Sequence, residues 1–232
     1  MAAVAFGTGK LLYSDSFDYA NGLLTGQGIW ATGPWGSDGS LTVNGGNLVT
    51  NKADGTNANN VTSSTFSLDN TGTYNPGTAD GLDIILRGVT NPSELSTGRN
   101  LWLYGLHSSA SPQNGYFARI VGWSSTDTLA LVKTVAGTET VIINPAAVEW
   151  PDNQDVGFRI LKPTSAPVLS LWRTVGGVWQ QEGSSYTDST SPFLSGRVGV
   201  AMNGSTASVA SIEVRSTDPS RTPGIPMAMM GV

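Results

Sequence analysis

Seven Asn-Gly or Asp-Gly pairs punctuate the chain, at Asn21-Gly22, Asp38-Gly39, Asn44-Gly45, Asp54-Gly55, Asp80-Gly81, Asn114-Gly115 and Asn203-Gly204. Such pairs supply the positive φ angles of tight hairpin turns, so the segments between them are expected to be short antiparallel strands. The clearest β-rich runs are Leu82 to Arg87, Asn100 to Tyr104, Tyr116 to Val121, Leu129 to Val135, Val156 to Ile160 and Arg197 to Met202. Two hairpins are readable locally: Thr128 to Ile143 around Ala136-Gly137, and Val168 to Glu182 around Gly176-Gly177. A two-residue period puts Val156, Phe158 and Ile160 on one face and Arg159 on the other, and Val198, Val200 and Met202 repeat the pattern. In Leu101-Trp-Leu-Tyr104 both faces are apolar, which suits a strand covered on both sides or one meeting a partner. No stretch carries a helical stripe. The pattern predicts an all-β antiparallel two-sheet sandwich.

Composition supports a packed domain. Charged residues are only 12% of the chain, against about 25% in ordinary globular proteins. Hydrophobic residues at 39%, with seven Trp, six Tyr and six Phe, suffice for a core, so the 29 Gly and 12 Pro read as turn residues. A net charge of −5 with singly scattered basic residues argues against a phosphate-tracking surface, and no nucleic acid is expected as partner. No run approaches the roughly 18 apolar residues of a membrane helix, so no membrane is expected either. With no Cys, stability has to come from packing. The first ten residues have no basic start and their apolar run is broken by Gly7 and Gly9, unlike a signal peptide. One domain is expected over residues 11–215, with an N-terminal arm at 1–10 and an extended apolar arm at 216–232 that contains Pro219, Pro223 and Pro226.

The segment Tyr13-Ser-Asp-Ser-Phe-Asp18, followed by Gly22-Leu23, Trp30 and Val43 to Leu48, resembles the opening strands of concanavalin A-like jelly-roll domains, the lectin, glucanase and laminin-G-like superfamily. Gly196 to Val200, followed by Ala207 to Val214, is similar to the penultimate and last strands of such domains. The resemblance implies a jelly roll whose last strand returns beside the first. It leaves function open, because the fold hosts lectins, hydrolases, adhesins and virion proteins alike.

Glucanases of the superfamily set acidic residues at alternating positions of a strand, since retaining hydrolysis needs two carboxyl groups about 5 Å apart. Here the five glutamates stand isolated, and Asp152 and Asp155 fall in a Pro-Asp-Asn-Gln-Asp stretch that reads as a turn. No catalytic residue is assigned and no enzyme is expected; a glycoside hydrolase or lyase is the third reading. His107, the single histidine, reads as a loop residue just past a strand. Asp15, Asp18 and Asn21 could offer oxygens to Ca²⁺, but Asp at a strand end more simply caps a turn, and neither metal nor cofactor is expected. Trp30, Trp35 and Asp38 form the candidate glycan-binding set, because sugars stack on exposed rings beside polar groups. Trp30 also stands where the resemblance implies an early core Trp. Trp102, Trp123, Trp150, Trp172 and Trp179 are expected in the core or on a sheet face.

Apolar side chains in the arms would pay their ordering entropy with little burial on a lone sandwich. Val4, Phe6, Ile225, Met227, Met229 and Met230 are therefore expected to pack against another subunit. Together with the signal-free start, this favours a bacteriophage virion protein made in the host cytoplasm. The leading expectation is a capsid decoration or cement protein, homo-oligomeric on the particle and gripping the major capsid protein or another virion protein. The alternative is a glycan-binding adhesin or lectin-like module of a phage or bacterium.

Overall fold

The computed structural model describes residues 5–33, 41–49, 57–62, 66–68, 80–90, 99–108, 113–122, 128–144, 154–162, 166–203 and 208–217. Among them are seventeen strands and no helix. A six-stranded sheet has the order β1 (Lys10–Asp15), β17 (Ser211–Ser216), β8 (Asp80–Val89), β13 (Gln154–Lys162), β14 (Val168–Val175) and β15 (Val178–Thr187). An eight-stranded sheet runs β12 (Thr138–Ile143), β11 (Thr128–Val135), β10 (Gly115–Gly122), β9 (Arg99–His107), β16 (Ser195–Asn203), β6 (Asn57–Thr62) and β3 (Trp30–Thr32), with β7 (Phe66–Ser67) also pairing to β16. A third sheet, not anticipated from sequence, joins β2 (Gly22–Leu23), β4 (Thr42–Asn44) and β5 (Asn47–Val49).

Both predicted hairpins form. Ala136 and Gly137 have φ of 48° and 81°, and Gly176 and Gly177 have 58° and 79°, the positive pair that matches the twist of flanking strands. The inner faces follow the two-residue period: Ile84, Phe158 and Leu171 of the six-stranded sheet pack with Leu103, Tyr116 and Val200 of the eight-stranded sheet. The last strand does lie beside the first, from Lys10 opposite Ser216 to Asp15 opposite Ile212.

Three local expectations are corrected. Asp80-Gly81 makes no turn but lies inside β8, where a Cβ on Gly81 would stand 2.5 Å from the Ile160 carbonyl oxygen. Glycine there serves close strand approach. Asp155 belongs to β13, and His107 closes β9 as a fully buried residue rather than a loop.

The doubly apolar reading of β9 also holds. Leu101 and Leu103 enter the core between the sheets, while Trp102 and Tyr104 point outward into a second cluster with Val61, Phe117, Ala130, Val132 and Ala201. Registration aligns Gly199, Tyr104, Phe117 and Val132 in one row across β16, β9, β10 and β11.

Candidate functional site

Beyond β1 the chain makes a turn that Asp15 organises. Its Oδ1 accepts from the Phe17 amide at 2.7 Å, capping a turn in which Phe17 has a φ of 54°. Its Oδ2 accepts from Tyr13 Oη at 3.1 Å, Tyr19 Oη at 2.7 Å and Trp30 Nε1 at 2.6 Å. Burial, and then the neighbouring carboxylate, raises both phenols above their ordinary pKa. This hub holds Trp30 inward, only 3% exposed and packed against Phe17 at 5.9 Å. Trp30 is therefore no sugar platform; its ring anchors the start of β3. Asp15 acts as the turn cap, while Asp18 is exposed and Asn21 accepts from the Gly45 amide.

The connection from β3 to β4 carries Trp35 and Asp38, which lie outside the described residues. Both of its ends are described, and one side chain holds them. Asn60, fully buried in β6, donates from Nδ2 to the Ala31 carbonyl at 3.0 Å and to Thr25 Oγ1 at 2.8 Å, and accepts on Oδ1 from the Leu41 amide at 2.8 Å. One amide thus uses donor and acceptor to pin the flanks of a seven-residue stretch, 34–40. Sequence reasoning missed Asn60, and its only signal was a polar residue beside Val61 inside a strand.

The outer face of the six-stranded sheet is covered by the N-terminal segment. Phe6 stacks on Trp172 (centroids 4.9 Å apart, planes 8° apart) and meets Trp179 edge-on at 4.7 Å. At 3% exposure Phe6 is spent within its own chain, which corrects its expected place at a subunit interface. Ala5 to Gly9 form a strap rather than a free arm, fixed by the Gly7 amide donating to Asp83 Oδ2 at 2.9 Å and by Arg215 Nη1 donating to the Gly9 carbonyl at 3.0 Å. Beneath the strap, Arg159 grips Asp83 through Nε at 2.6 Å and Nη2 at 2.8 Å. Arg87 reaches Asp155 at 2.7 Å and Glu213 at 3.1 Å. Burial alone would raise the Glu213 pKa, but hydrogen bonds from Arg87 and Arg215 outweigh it and lower it. Val4, Ile225, Met227, Met229 and Met230 lie outside the described residues, as do Trp123 and Trp150.

His107 Nδ1 faces the Ser108 carbonyl at 2.9 Å, so that nitrogen carries the hydrogen and donates. Nε2 is buried without a partner, and burial lowers the imidazole pKa. At the same end of the molecule Asp188, fully buried, receives Tyr116 Oη at 2.6 Å and pairs with Lys133 Nζ at 2.7 Å. Asp15, Asp83, Asp155, Asp188, Glu182 and Glu213 are thus all held by hydrogen bonds or ion pairs. Among the described residues no three His, Cys, Asp or Glu side chains gather as metal ligands.

No protein-family profile and no curated protein matches this sequence. Solved structures do match its fold. The Ca²⁺/Man3GlcNAc-bound exoplasmic/lumenal domain of VIP36 superposes with a TM-score of 0.55 at 9% identity, covering 89% of this chain and 90% of that one. The fold is the concanavalin A-like jelly roll. The CBM2 module of the evolved Dit protein of Lactobacillus casei phage J-1 is similar over 92% of this chain and 97% of its own, with a TM-score of 0.53 at 9% identity. The legume lectin-like domain from Entamoeba histolytica gives 0.53 at 10% identity over 80% of this chain and 89% of that one.

Proposed function

We propose that this jelly roll is a non-catalytic glycan-binding module of a bacteriophage virion, which contacts sugar through Trp35 and Asp38 in the β3–β4 connection. The observation that carries the reading is the Asn60 clamp, reinforced by the Asp15–Trp30 anchor. Buried hydrogen bonds that fix the two ends of a connection lower the entropy it has to lose on binding. The fold shared with lectins and with a phage carbohydrate-binding module supports the reading. Asp15, Asp83, Asp155, Asp188, Glu182 and Glu213 are all engaged in structural contacts, which supports a role without hydrolysis.

A glycan array of bacterial surface polysaccharides, followed by calorimetry on the best ligand, tests it. Trp35→Ala should abolish binding. Asn60→Ala should weaken it about tenfold by loosening the loop, the equivalent of about 1.4 kcal/mol. Failure of the wild-type chain to bind any glycan would sink the proposal.

The second reading, attachment to a capsid as a decoration or cement protein, rests on the apolar composition of Ile225 to Met230. Its test is sedimentation with particles that lack the protein. Deleting residues 219–232 should abolish incorporation, and equal occupancy by the truncated chain would remove the arm from the account.

A further inference from the structure

We propose that Lys133 and Asp188 become joined by an intramolecular isopeptide bond, formed by the folded chain itself. Lys133 Nζ stands 2.7 Å from Oδ2 and 2.9 Å from Oδ1 of Asp188, so the amine is held in contact with both oxygens of the carboxyl group it would attack. The two side chains are 9% and 0% exposed. Tyr116, Thr190 and Phe193 hold the two groups in place. The Tyr116 hydroxyl donates to Oδ2 at 2.6 Å and is itself oriented by the Phe193 amide, which donates to it at 3.1 Å. The Thr190 amide donates to Oδ1 at 3.1 Å, and the Thr190 carbonyl accepts from Nζ. The Phe193 ring covers the amine, 5.6 Å from its centroid, and meets Tyr116 edge-on.

Holding two reactants at contact distance removes the translational cost of bringing an acid and an amine together, and what remains is the proton transfer that turns the ion pair into a neutral amine and a carboxylic acid. Exclusion of water disfavours the reverse hydrolysis, and a neutral amide is cheaper to keep buried than two charges. In the step, Nζ passes one proton to Oδ1 and attacks Cγ. The Tyr116 hydroxyl holds the negative charge that develops on Oδ2. A second Nζ proton moves to Oδ1, the Cγ–Oδ1 bond breaks and water leaves. One ammonium and one carboxylate become one secondary amide and one water, with no oxidant or co-reactant. The remaining N–H keeps the Thr190 carbonyl as its acceptor. The bond would tie β11 of the eight-stranded sheet to the segment leaving β15 of the six-stranded sheet, a covalent brace in a chain without Cys.

Intact-mass spectrometry of the folded, then denatured wild-type chain should find it lighter than its sequence by one water. Peptide mapping should recover a branched peptide containing Lys133 and Asp188. Asp188→Ala should restore the full sequence mass and lower the melting midpoint by about 10 °C. Tyr116→Phe should accumulate unjoined chains. A wild-type mass equal to the sequence after prolonged incubation, or a lost water that maps elsewhere, would overturn the proposal; because this measurement needs no variant, a misfolded mutant cannot obscure it.

Discussion

On the six-stranded sheet the side chains that point away from the core include Asp83, Arg87, Arg159, Glu213 and Arg215, knit into ion pairs beneath the Phe6 strap. The outward positions of the eight-stranded sheet hold Trp102, Tyr104, Phe117, Val61 and Val132 instead. The inner faces of the two sheets are alike, so the contrast lies wholly in how each sheet treats its second side. The charged face depends on direction. Each carboxylate meets a chosen guanidinium or amide, and in the buried Asp83–Arg159 pair losing one partner leaves a buried charge. The aromatic face depends on area and shape, and loses stability in proportion to what is removed.

That contrast can be tested. The largest effect is expected from Asp83→Ala, which leaves Arg159 uncompensated under the strap and should cost about 3–5 kcal/mol in urea denaturation. Replacing both residues by Leu should recover most of this. A single change as mild as a surface mutation would erase the distinction between the faces.

Phe117→Ala on the aromatic row should cost about 3–4 kcal/mol, with no rescue by a second substitution. Phe6→Ala should cost less, about 2 kcal/mol, because the strap can peel without opening the sandwich. Its diagnostic is local: faster exchange of the Gly7 amide and altered Trp fluorescence, with the denaturant dependence of unfolding unchanged.

Acid should act on the two faces in separate windows. His107, beside Tyr104 on the aromatic side, has a folded pKa lowered by burial. The native state therefore binds fewer protons than the unfolded chain once pH drops below the unfolded value of about 6.5, and stability falls by up to about 1.4 kcal/mol per pH unit. His107→Leu should flatten that limb. Glu213, on the charged side, also has a lowered folded pKa, so its contribution is present above the ordinary carboxylate value and lost only as pH falls through the folded value. The smallest effect should come from Arg119→Ala, which breaks a half-exposed pair with Glu139 and should cost about 0.5 kcal/mol.

Much of the fold was legible because strand alternation and positive-φ turns are local properties. The hairpins at Ala136-Gly137 and Gly176-Gly177, the inward face of β13 and the doubly apolar β9 all follow from neighbours in sequence. The misreadings share a cause of the opposite kind. Gly81 is glycine because of Ile160, and Phe6 is buried because of Trp172 and Trp179. Trp30 takes the core position that the resemblance implied, held there by Asp15. The site was less legible still. Asn60 looks like any polar residue in a strand until the fold brings Ala31 and Leu41 to its two sides. The Lys133–Asp188 pair likewise spans two strands and a loop that no local pattern connects.

The pairing of Lys10 with Ser216 makes β1 and β17 enter and leave the sandwich side by side. A circularly permuted chain should therefore be buildable, with a flexible linker running from the end of β17 to the strap ahead of β1 and new ends opened at the exposed Ala136-Gly137 turn. In such a variant the strap would keep its seat on Trp172. The same adjacency means that a load applied through both flanks would act at a single corner, peeling β1 from β17 one hydrogen bond at a time instead of shearing the whole sheet.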